Sequence, residues 1–181
     1  MQLKWLKGET DIAGDIKLNH ATACHNFGTD MTPAVGVDPG RNFGVAFLLP
    51  HPLDPAQGLT LTTYWGRFPL SDYHPDYFNA VKKFLYAWLP PKCPAKVCRI
   101  EGPAYSARYS QPLLEDVRLG FYISFQELGY KVQYVSPNTA RKAVFGNGRT
   151  KASQVWVNIA DHAADSAAIA LYAGGFRKEI E

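Results

Sequence analysis

Residues 35–48 constrain the fold most, because their pattern predicts two strands joined by a forced turn. Valines alternate with glycine at 35–37, as in a strand, and Pro39-Gly40 imposes a turn. The apolar run at 45–49 has the composition of a second, buried strand. Asp38 is the exception, because an unpaired carboxylate at the end of an apolar strand is costly to bury. Its side chain must therefore be paired, hydrated or bound to a cation.

Composition predicts a globular protein with a core of its own. The chain has 181 residues, 46% of them hydrophobic, and a net charge of +3 that permits an anionic partner without requiring one. Three cysteines argue against a disulfide framework and indicate a reducing compartment. No apolar run reaches the length of about 18 residues that a transmembrane helix needs, so we expect no membrane association. Acidic residues near the N-terminus argue against a signal peptide.

The first 33 residues fall outside the main pattern, because glycine and asparagine interrupt them repeatedly. We therefore divide the chain into an N-terminal extension at 1–33 and a second domain at 34–181. The extension is expected to wrap on the surface, with residues 3–6 forming a short strand or a docking anchor.

The second domain alternates strand and helix patterns. After the two opening strands, further strands are predicted at 59–68, 96–101 and 131–135, and helices at 76–88 and 110–129. A short helix is predicted from 136 until Gly146-Asn147-Gly148 breaks it, and residues from about 150 onward are predicted to be helical, most strongly at 160–174. Three strands in a meander, then β-α-β units and a closing helix, predict an α/β fold. We expect a five-stranded mixed sheet, with an antiparallel three-stranded meander and two parallel strands, flanked by helices.

A second carboxylate, Glu101, also ends a strand and precedes a turn. Strands that flank a crossover helix commonly become neighbours, about 4.8 Å apart, which would bring Glu101 close to Asp38. Two carboxylates at that distance raise each other's pKa unless a cation lies between them. Hard divalent cations such as Mg²⁺ suit such a pair of oxygen ligands.

The helix at 160–174 contributes a third set of candidate ligands. Asp161, His162 and Asp165 share one edge of this helix, whose other faces are rich in alanine and must pack on the sheet. A lone acid is usually a helix cap or a solvated side chain. Three acids that interrupt apolar elements in the order strand, strand, helix favour a metal site instead. Two metal ions would activate a water and stabilise the leaving oxygen of a phosphodiester.

These segments resemble the RuvC-type Holliday junction resolvases of the RNase H-like, or retroviral integrase, superfamily. The resemblance covers about residues 35–175 and rests on an ordered set of segments. They are Val35-Gly36-Val37-Asp38-Pro39-Gly40, Gly44-Val45-Ala46, Ile100-Glu101, Tyr134-Val135-Ser136-Pro137, Gly146-Asn147-Gly148-Arg149 and His162-Ala163-Ala164-Asp165-Ser166-Ala167-Ala168-Ile169-Ala170. The resemblance implies an RNase H-like fold and a structure-selective endonuclease that resolves four-way (Holliday) DNA junctions in recombination and repair. It also implies a homodimer, because two symmetric cuts suit a two-fold axis.

The resemblance implies a two-metal site with four ligands. Asp38 would bridge two Mg²⁺ ions, for which Mn²⁺ can substitute, and Glu101 and Asp165 would each complete one metal's shell. The fourth position, three before the final aspartate, is Asp in many family members and His in some. Here it is His162, with Asp161 as the rival. An imidazole makes the second metal site softer and dependent on pH.

Basic residues surround the Gly-Asn-Gly turn at 146–148, namely Arg141, Lys142, Arg149 and Lys151. They form either a solvated surface or a grip on DNA phosphates beside the metal ions. Family members carry a lysine near the first of these positions and another after the turn, which support the scissile phosphate. Arg141 keeps the first charge but cannot donate a proton, and Lys151 is slightly displaced from the second position.

Two further predictions concern the junction point and the dimer. Tyr105 corresponds to an aromatic residue that family members insert at the junction, where it would stack on an unpaired base; alternatively it packs locally against Tyr109. The dimer would use the helix at 110–129, whose apolar residues exceed what one packing face requires. The apolar residues assigned to this dimer contact are Leu113, Leu114, Val117 and Phe121.

The chain departs from the family pattern in two places and leaves other functions open. The stretch at 150–160 is shorter than in the family, and the N-terminal extension is additional. Alternatives are an RNase H-like nuclease acting on hybrids, flaps or other branched nucleic acids, and a junction-binding protein with weakened catalysis. An actin-like ATPase fragment is disfavoured by the missing second phosphate loop. The resemblance implies a cytoplasmic, nucleoid-associated protein or one encoded by a phage of a bacterial host.

Overall fold

The structure is a computed structural model that describes residues 1–13, 15–25, 27, 30–53, 58–69, 76–89, 93–102 and 112–178. Its strands are β1 (Leu6–Lys7), β2 (Asp11–Ala13), β3 (Ile16–Cys24), β4 (Ala34–Asp38), β5 (Asn42–Pro50), β6 (Leu59–Arg67), β7 (Val97–Glu101) and β8 (Lys131–Val135). Its helices are α1 (Tyr77–Trp88), α2 (Pro112–Glu127), α3 (Pro137–Phe145), α4 (Ala152–Val155) and α5 (Asp161–Ala173).

The strands of the described residues form one mixed sheet. Seven of them follow the order β1-β3-β6-β5-β4-β7-β8, and β2 also pairs with β3. The meander of β4, β5 and β6 is antiparallel, whereas β7 and β8 run parallel to β4. The predicted α/β fold is therefore confirmed. The predicted number of five strands is wrong, because residues 6–24 add strands to the sheet.

The added strands join the sheet rather than wrapping on the surface: β3 pairs antiparallel with β6, and β1 and β2 pair antiparallel with β3. The sequence pattern does not predict strand β3, because this strand buries residues on both faces of the sheet. Leu18 packs in the cluster with α1 and α2, whereas Ala21 and Ala23 pack in the cluster with α5. Trp5 is buried and meets the ring of Trp156 edge-on at 5.7 Å, as a docking anchor would. The domain boundary at residue 34 stays a prediction.

Helices cover both faces of the sheet. The first face carries α1 and α2, around a cluster of aromatic side chains that includes Phe43, Phe84 and Phe121. The second face carries α4 and α5, whose packing residues are mostly alanine. None of the helices in the described ranges is long and apolar enough to cross a membrane.

The apolar residues of α2 that we assigned to a dimer surface are in part core residues. Val117 and Phe121 are fully buried in the cluster shared with α1, so they cannot form a free interface. Leu114 is half-buried, and the side chain of Leu113 lies outside the described part of the structure. Among the described side chains of this helix, the exposed large apolar residue is instead Leu119, at 47% exposure. The homodimer itself stays a prediction.

Close contact between α5 and the sheet depends on two glycines. A Cβ atom on Gly36 of β4 would lie 2.2 Å from the backbone nitrogen of Ala170, and one on Gly44 of β5 would lie 2.0 Å from the carbonyl oxygen of His162. Real Cβ atoms do not approach backbone atoms so closely, so any larger residue would push the helix away. Glycine at these positions therefore sets the height of α5 above the end of β4.

We expect Gly36→Ala to lower the free energy of unfolding by about 3 kcal/mol, because the added methyl group meets helix backbone that cannot rotate away. Urea unfolding measures this change. Gly102→Ala is the matched control, since its Cβ would lie 3.4 Å from Cβ of Tyr134, an ordinary contact. Equal stability of the two variants would contradict the role assigned to Gly36.

Candidate active site at the ends of strands β4 and β7

Two of the predicted ligands lie at the same edge of the sheet because their strands are parallel neighbours. Val37 of β4 pairs with Ile100 of β7, so Asp38 and Glu101, each the next residue, end adjacent strands. Adjacent strands lie about 4.8 Å apart. Asp38 is 9% exposed and Glu101 is half-buried, so neither carboxylate is fully hydrated.

Helix α5 places His162 against Asp38. Nδ1 of His162 lies 2.7 Å from Oδ2 of Asp38, and this hydrogen bond raises the pKa of His162. Asp161, the rival for the same role, is exposed at the first position of the helix. The imidazole is thus the side chain that contacts the carboxylate on β4.

Asp165, one turn further along α5, is held by Arg141 of α3. Nη2 of Arg141 lies 3.0 Å from both carboxylate oxygens of Asp165, and Nε lies 3.1 Å from Oδ1. The two side chains are 19% and 20% exposed, so this ion pair is largely withdrawn from water. Burial raises the pKa of Asp165, and the guanidinium acts against that rise. Arg141 therefore faces a predicted metal ligand, not the open surface.

The surroundings of Glu101 disfavour its ionised form. Burial, followed by the negative charges of Asp38 and Asp165, raises the pKa of Glu101 to about 8. The positive charges of Arg141 and Arg118 lower the pKa of Glu101, but their effects are smaller. A raised carboxyl pKa beside other carboxylates is the electrostatic signature of a site that a cation would relieve.

The donor chemistry suits a hard divalent cation, but the arrangement of the side chains does not. Carboxylate oxygens and an imidazole are ligands that Mg²⁺ and Mn²⁺ accept. Within the described residues, however, no group of three or more His, Cys, Asp or Glu side chains is arranged to hold a metal ion. Asp165 faces Arg141, and Asp38 faces His162, so two of the carboxylates point at protein cations or hydrogen-bond donors.

Arg118 of α2 is a residue at this edge that our sequence reasoning missed. It is 4% exposed, and its Nε donates to the carbonyl oxygen of Glu101 at 3.0 Å, while Nη1 contacts Glu115 at 2.8 Å. The guanidinium thus fixes the backbone at the end of β7. Its spacing from Phe121 and Phe125 puts it on the apolar face of the helix, and a charge there was a signal we did not use.

The basic residues around the Gly-Asn-Gly turn do not all lie on one surface. Lys142 and Arg149 line an open concavity of about 420 Å³, together with the polar side chains of Asn138, Thr139 and Asn147. Lys151 is exposed at the start of α4. Arg141 is directed to Asp165 instead, as described above. The basic concavity is therefore formed by Lys142 and Arg149.

The turn that shapes the basic concavity requires glycine. Gly146 ends α3 with a φ of 80°, a left-handed conformation that favours glycine. A Cβ atom on Gly148 would lie 2.8 Å from the carbonyl oxygen of Asn138. Lys178 reaches the same turn, and its backbone nitrogen donates to Ala143 at 2.7 Å.

Tyr105 lies outside the described residues.

The raised pKa of Glu101 predicts an unusual pH dependence of stability. A carboxyl group whose pKa is near 8 when folded and about 4.5 when unfolded binds more protons in the folded state between those values. Metal-free protein therefore loses stability as the pH rises through this window. Glu101→Gln removes that loss, so we expect it to stabilise the protein by about 2 kcal/mol at pH 9 and by little at pH 5.

Urea unfolding in EDTA at the two pH values tests this expectation. Glu127→Gln is the matched control, because an exposed lysine and a tyrosine hydroxyl lower the pKa of Glu127. The free energy of unfolding of this variant should not exceed that of wild type at pH 9. A constant difference between wild type and Glu101→Gln at both pH values would contradict the assigned pKa.

Comparison with known proteins identifies the fold. No protein-family model and no curated protein sequence matches the chain. Among solved structures, Thermus thermophilus RuvC is 18% identical with a TM-score of 0.52, over 77% of this chain and 92% of that chain. T. thermophilus RuvC in complex with a Holliday junction substrate is 18% identical with a TM-score of 0.52, over 78% of this chain and 91% of that one. The chain has a RuvC-like fold of the RNase H-like class, as its sequence resemblance predicts.

Proposed function

We propose that this protein is a structure-selective endonuclease that resolves four-way DNA junctions. The observation that carries the proposal is the meeting of β4, β7 and α5, which brings acidic residues from three elements to one edge of a RuvC-like sheet. One of the similar structures holds a Holliday junction, which supports branched DNA as the substrate.

The residues that would hold two Mg²⁺ ions, or Mn²⁺ in their place, are Asp38, Glu101, His162 and Asp165. When bound, such ions activate a water molecule and stabilise the leaving oxygen of a phosphodiester. The chain's own contribution is to hold these side chains in place. Arg118 fixes the backbone of Glu101, and the close packing of α5 sets the positions of His162 and Asp165.

DNA binding is assigned to the basic concavity and its surroundings. Lys142 and Arg149 line an open polar surface next to α3, and Lys151 lies exposed just beyond it. Charged side chains on an open concavity suit the phosphates of a DNA backbone, which carry most of the affinity but little sequence information. Stacking of Tyr105 on an unpaired base stays a prediction outside the described residues.

A homodimer would place two such sites about a two-fold axis, as symmetric cleavage of a junction requires. Because Val117 and Phe121 are buried in the core, we assign the contact to the exposed side of α2, where Leu119 is 47% exposed. Tyr134 of the neighbouring strand β8 is 45% exposed and contacts the ring of Tyr122 of the same helix, with 4.9 Å between the ring centroids, which extends the apolar surface.

A second candidate function is junction binding with weakened catalysis. The observation that favours it is the ion pair of Arg141 with Asp165, because a ligand carboxylate bound to a guanidinium is not free for a metal ion. The two functions differ in outcome: the endonuclease cuts junction DNA when metal is added, whereas the binding protein retains it uncut.

Cleavage of a synthetic four-way junction tests the first proposal. We expect paired nicks on opposing strands in Mg²⁺ or Mn²⁺, and a loss of at least about a hundredfold in rate for Asp38→Asn, since a carboxylate at the centre of the site is removed. Asp30→Asn is the matched control, because Asp30 is exposed ahead of β4, at the opposite end of that strand.

The same assay separates the alternatives. A panel of junction, flap and RNA–DNA hybrid substrates identifies a nuclease with another preference, and light scattering of the protein–junction complex gives the number of protein chains bound. Tight binding to the junction without cleavage in either metal would reject the endonuclease and favour the binding protein.

The role of the basic concavity predicts a change in salt dependence. Each phosphate contact contributes a slope of about 0.9 to the plot of log affinity against log salt concentration, so Lys142→Ala and Arg149→Ala should each reduce the slope by about that amount. Fluorescence anisotropy with labelled junction measures it. Lys131→Ala, an exposed lysine at the start of β8 and hence at the opposite edge of the sheet, should leave the slope unchanged.

A further inference from the structure

Two partners compete for the guanidinium of Arg141: the carboxylate of Asp165 and a DNA phosphate. Its Nη2 and Nε atoms bind both oxygens of Asp165 at 3.0 to 3.1 Å, in the two-pronged geometry that is the strongest form of this ion pair. The sequence resemblance assigns the same side chain to a DNA phosphate. A guanidinium that holds a carboxylate in this way cannot also hold a phosphate with the same nitrogen atoms.

The ion pair lies in a narrow cleft that Arg141 lines together with Glu101 and Asp165, and the cleft has no room for a water molecule. Because Arg141 occupies both oxygens of Asp165, a divalent cation would have to compete with the guanidinium for this carboxylate.

Charge makes the guanidinium and a metal ion alternatives to each other. Arg141 is the cation that compensates Asp165 in the metal-free protein, and its charge also lowers the pKa of Glu101. A divalent cation beside the same carboxylates would supply that compensation, and Arg141 would then lose its partner. The next residue on α3, Lys142, lines the basic concavity, so a released Arg141 starts within one residue of the proposed phosphate surface.

We propose that Arg141 couples metal binding to DNA binding: it holds Asp165 in the metal-free protein, and a divalent cation displaces it to a DNA phosphate. This inference rests on the proposed function. Because the coupling is a free energy shared by two binding events, it acts equally in both directions. Metal raises the affinity for junction DNA, and junction DNA raises the affinity for metal.

The experiment measures binding, not cleavage. Mn²⁺ affinity of the DNA-free protein is obtained from electron paramagnetic resonance of the free ion. Junction affinity is obtained by fluorescence anisotropy in Mn²⁺ and in EDTA, with the DNA verified as uncut on a denaturing gel. Arg141→Gln should bind Mn²⁺ about tenfold more tightly than wild type, which corresponds to the loss of one competing ion pair.

The same variant should also lose the stimulation of junction binding by Mn²⁺, which we expect to be about tenfold in wild type. Arg141→Lys keeps the charge without the two-pronged geometry, so it should show a reduced coupling; it also replaces Arg141→Gln if that variant unfolds in EDTA. Lys142→Gln is the matched control on the same helix. It should weaken junction binding equally in Mn²⁺ and EDTA and leave the Mn²⁺ affinity unchanged.

Each outcome decides between the inference and the function on which it rests. If wild type cuts junctions but Arg141→Gln has wild-type Mn²⁺ affinity, or keeps the stimulation by Mn²⁺, the coupling is wrong and the endonuclease stands. If Mn²⁺ strengthens junction binding through Arg141 without any cleavage, the coupling stands and the endonuclease fails. If wild type does not bind Mn²⁺ at all, both are overturned.

Discussion

The repulsion between carboxylates at one edge of the sheet is the constraint on which the rest of the site depends. Asp38, Glu101 and Asp165 come from three elements and are partly withdrawn from water, so each must be compensated in the folded protein. The structure does this in three different ways. Asp38 accepts a hydrogen bond from His162, Asp165 binds Arg141, and Glu101, with a pKa of about 8, keeps its proton at neutral pH.

The fold brings the carboxylates together by two features that are not specific to acidic residues. Parallel pairing of β4 with β7 aligns the ends of these strands, although β5, β6 and α1 lie between them in the chain. Glycine at positions 36 and 44 lets α5 approach the sheet until helix backbone fills the place of a side chain. The apolar scaffold must therefore be stable enough to hold the charges close, since their own interactions oppose the arrangement.

The sequence predicted the features that depend on order along the chain, and missed those that depend on contacts across it. The ends of β4 and β7, the helix with His162 and Asp165, and the α/β class follow from local patterns and crossover rules. The strand β3 was missed because it is buried on one face at Leu18 and on the other at Ala21, so its alternation looks broken.

Contacts made by long charged side chains were the other source of error. Arg141 was assigned to DNA by its position near a glycine turn, but its partner Asp165 is 24 residues away and is chosen by packing. Arg118 was not among the predicted site residues, yet its Nε donates to the carbonyl oxygen of Glu101. Such contacts have no sequence period, so only the three-dimensional arrangement reveals them.

The identity of the compensating groups determines how the site responds to a ligand. A site whose carboxylates were simply hydrated would take up a cation with little change in the protein. Here a cation would have to replace Arg141, whose charge and hydrogen bonds already satisfy Asp165, and displace the proton of Glu101. If the site takes up a metal ion as we propose, Arg141 would lose its carboxylate partner, and a polyanion such as DNA would gain from the freed positive charge. In that proposal, the ion pair that competes with metal in the free protein is the element through which DNA would strengthen metal binding.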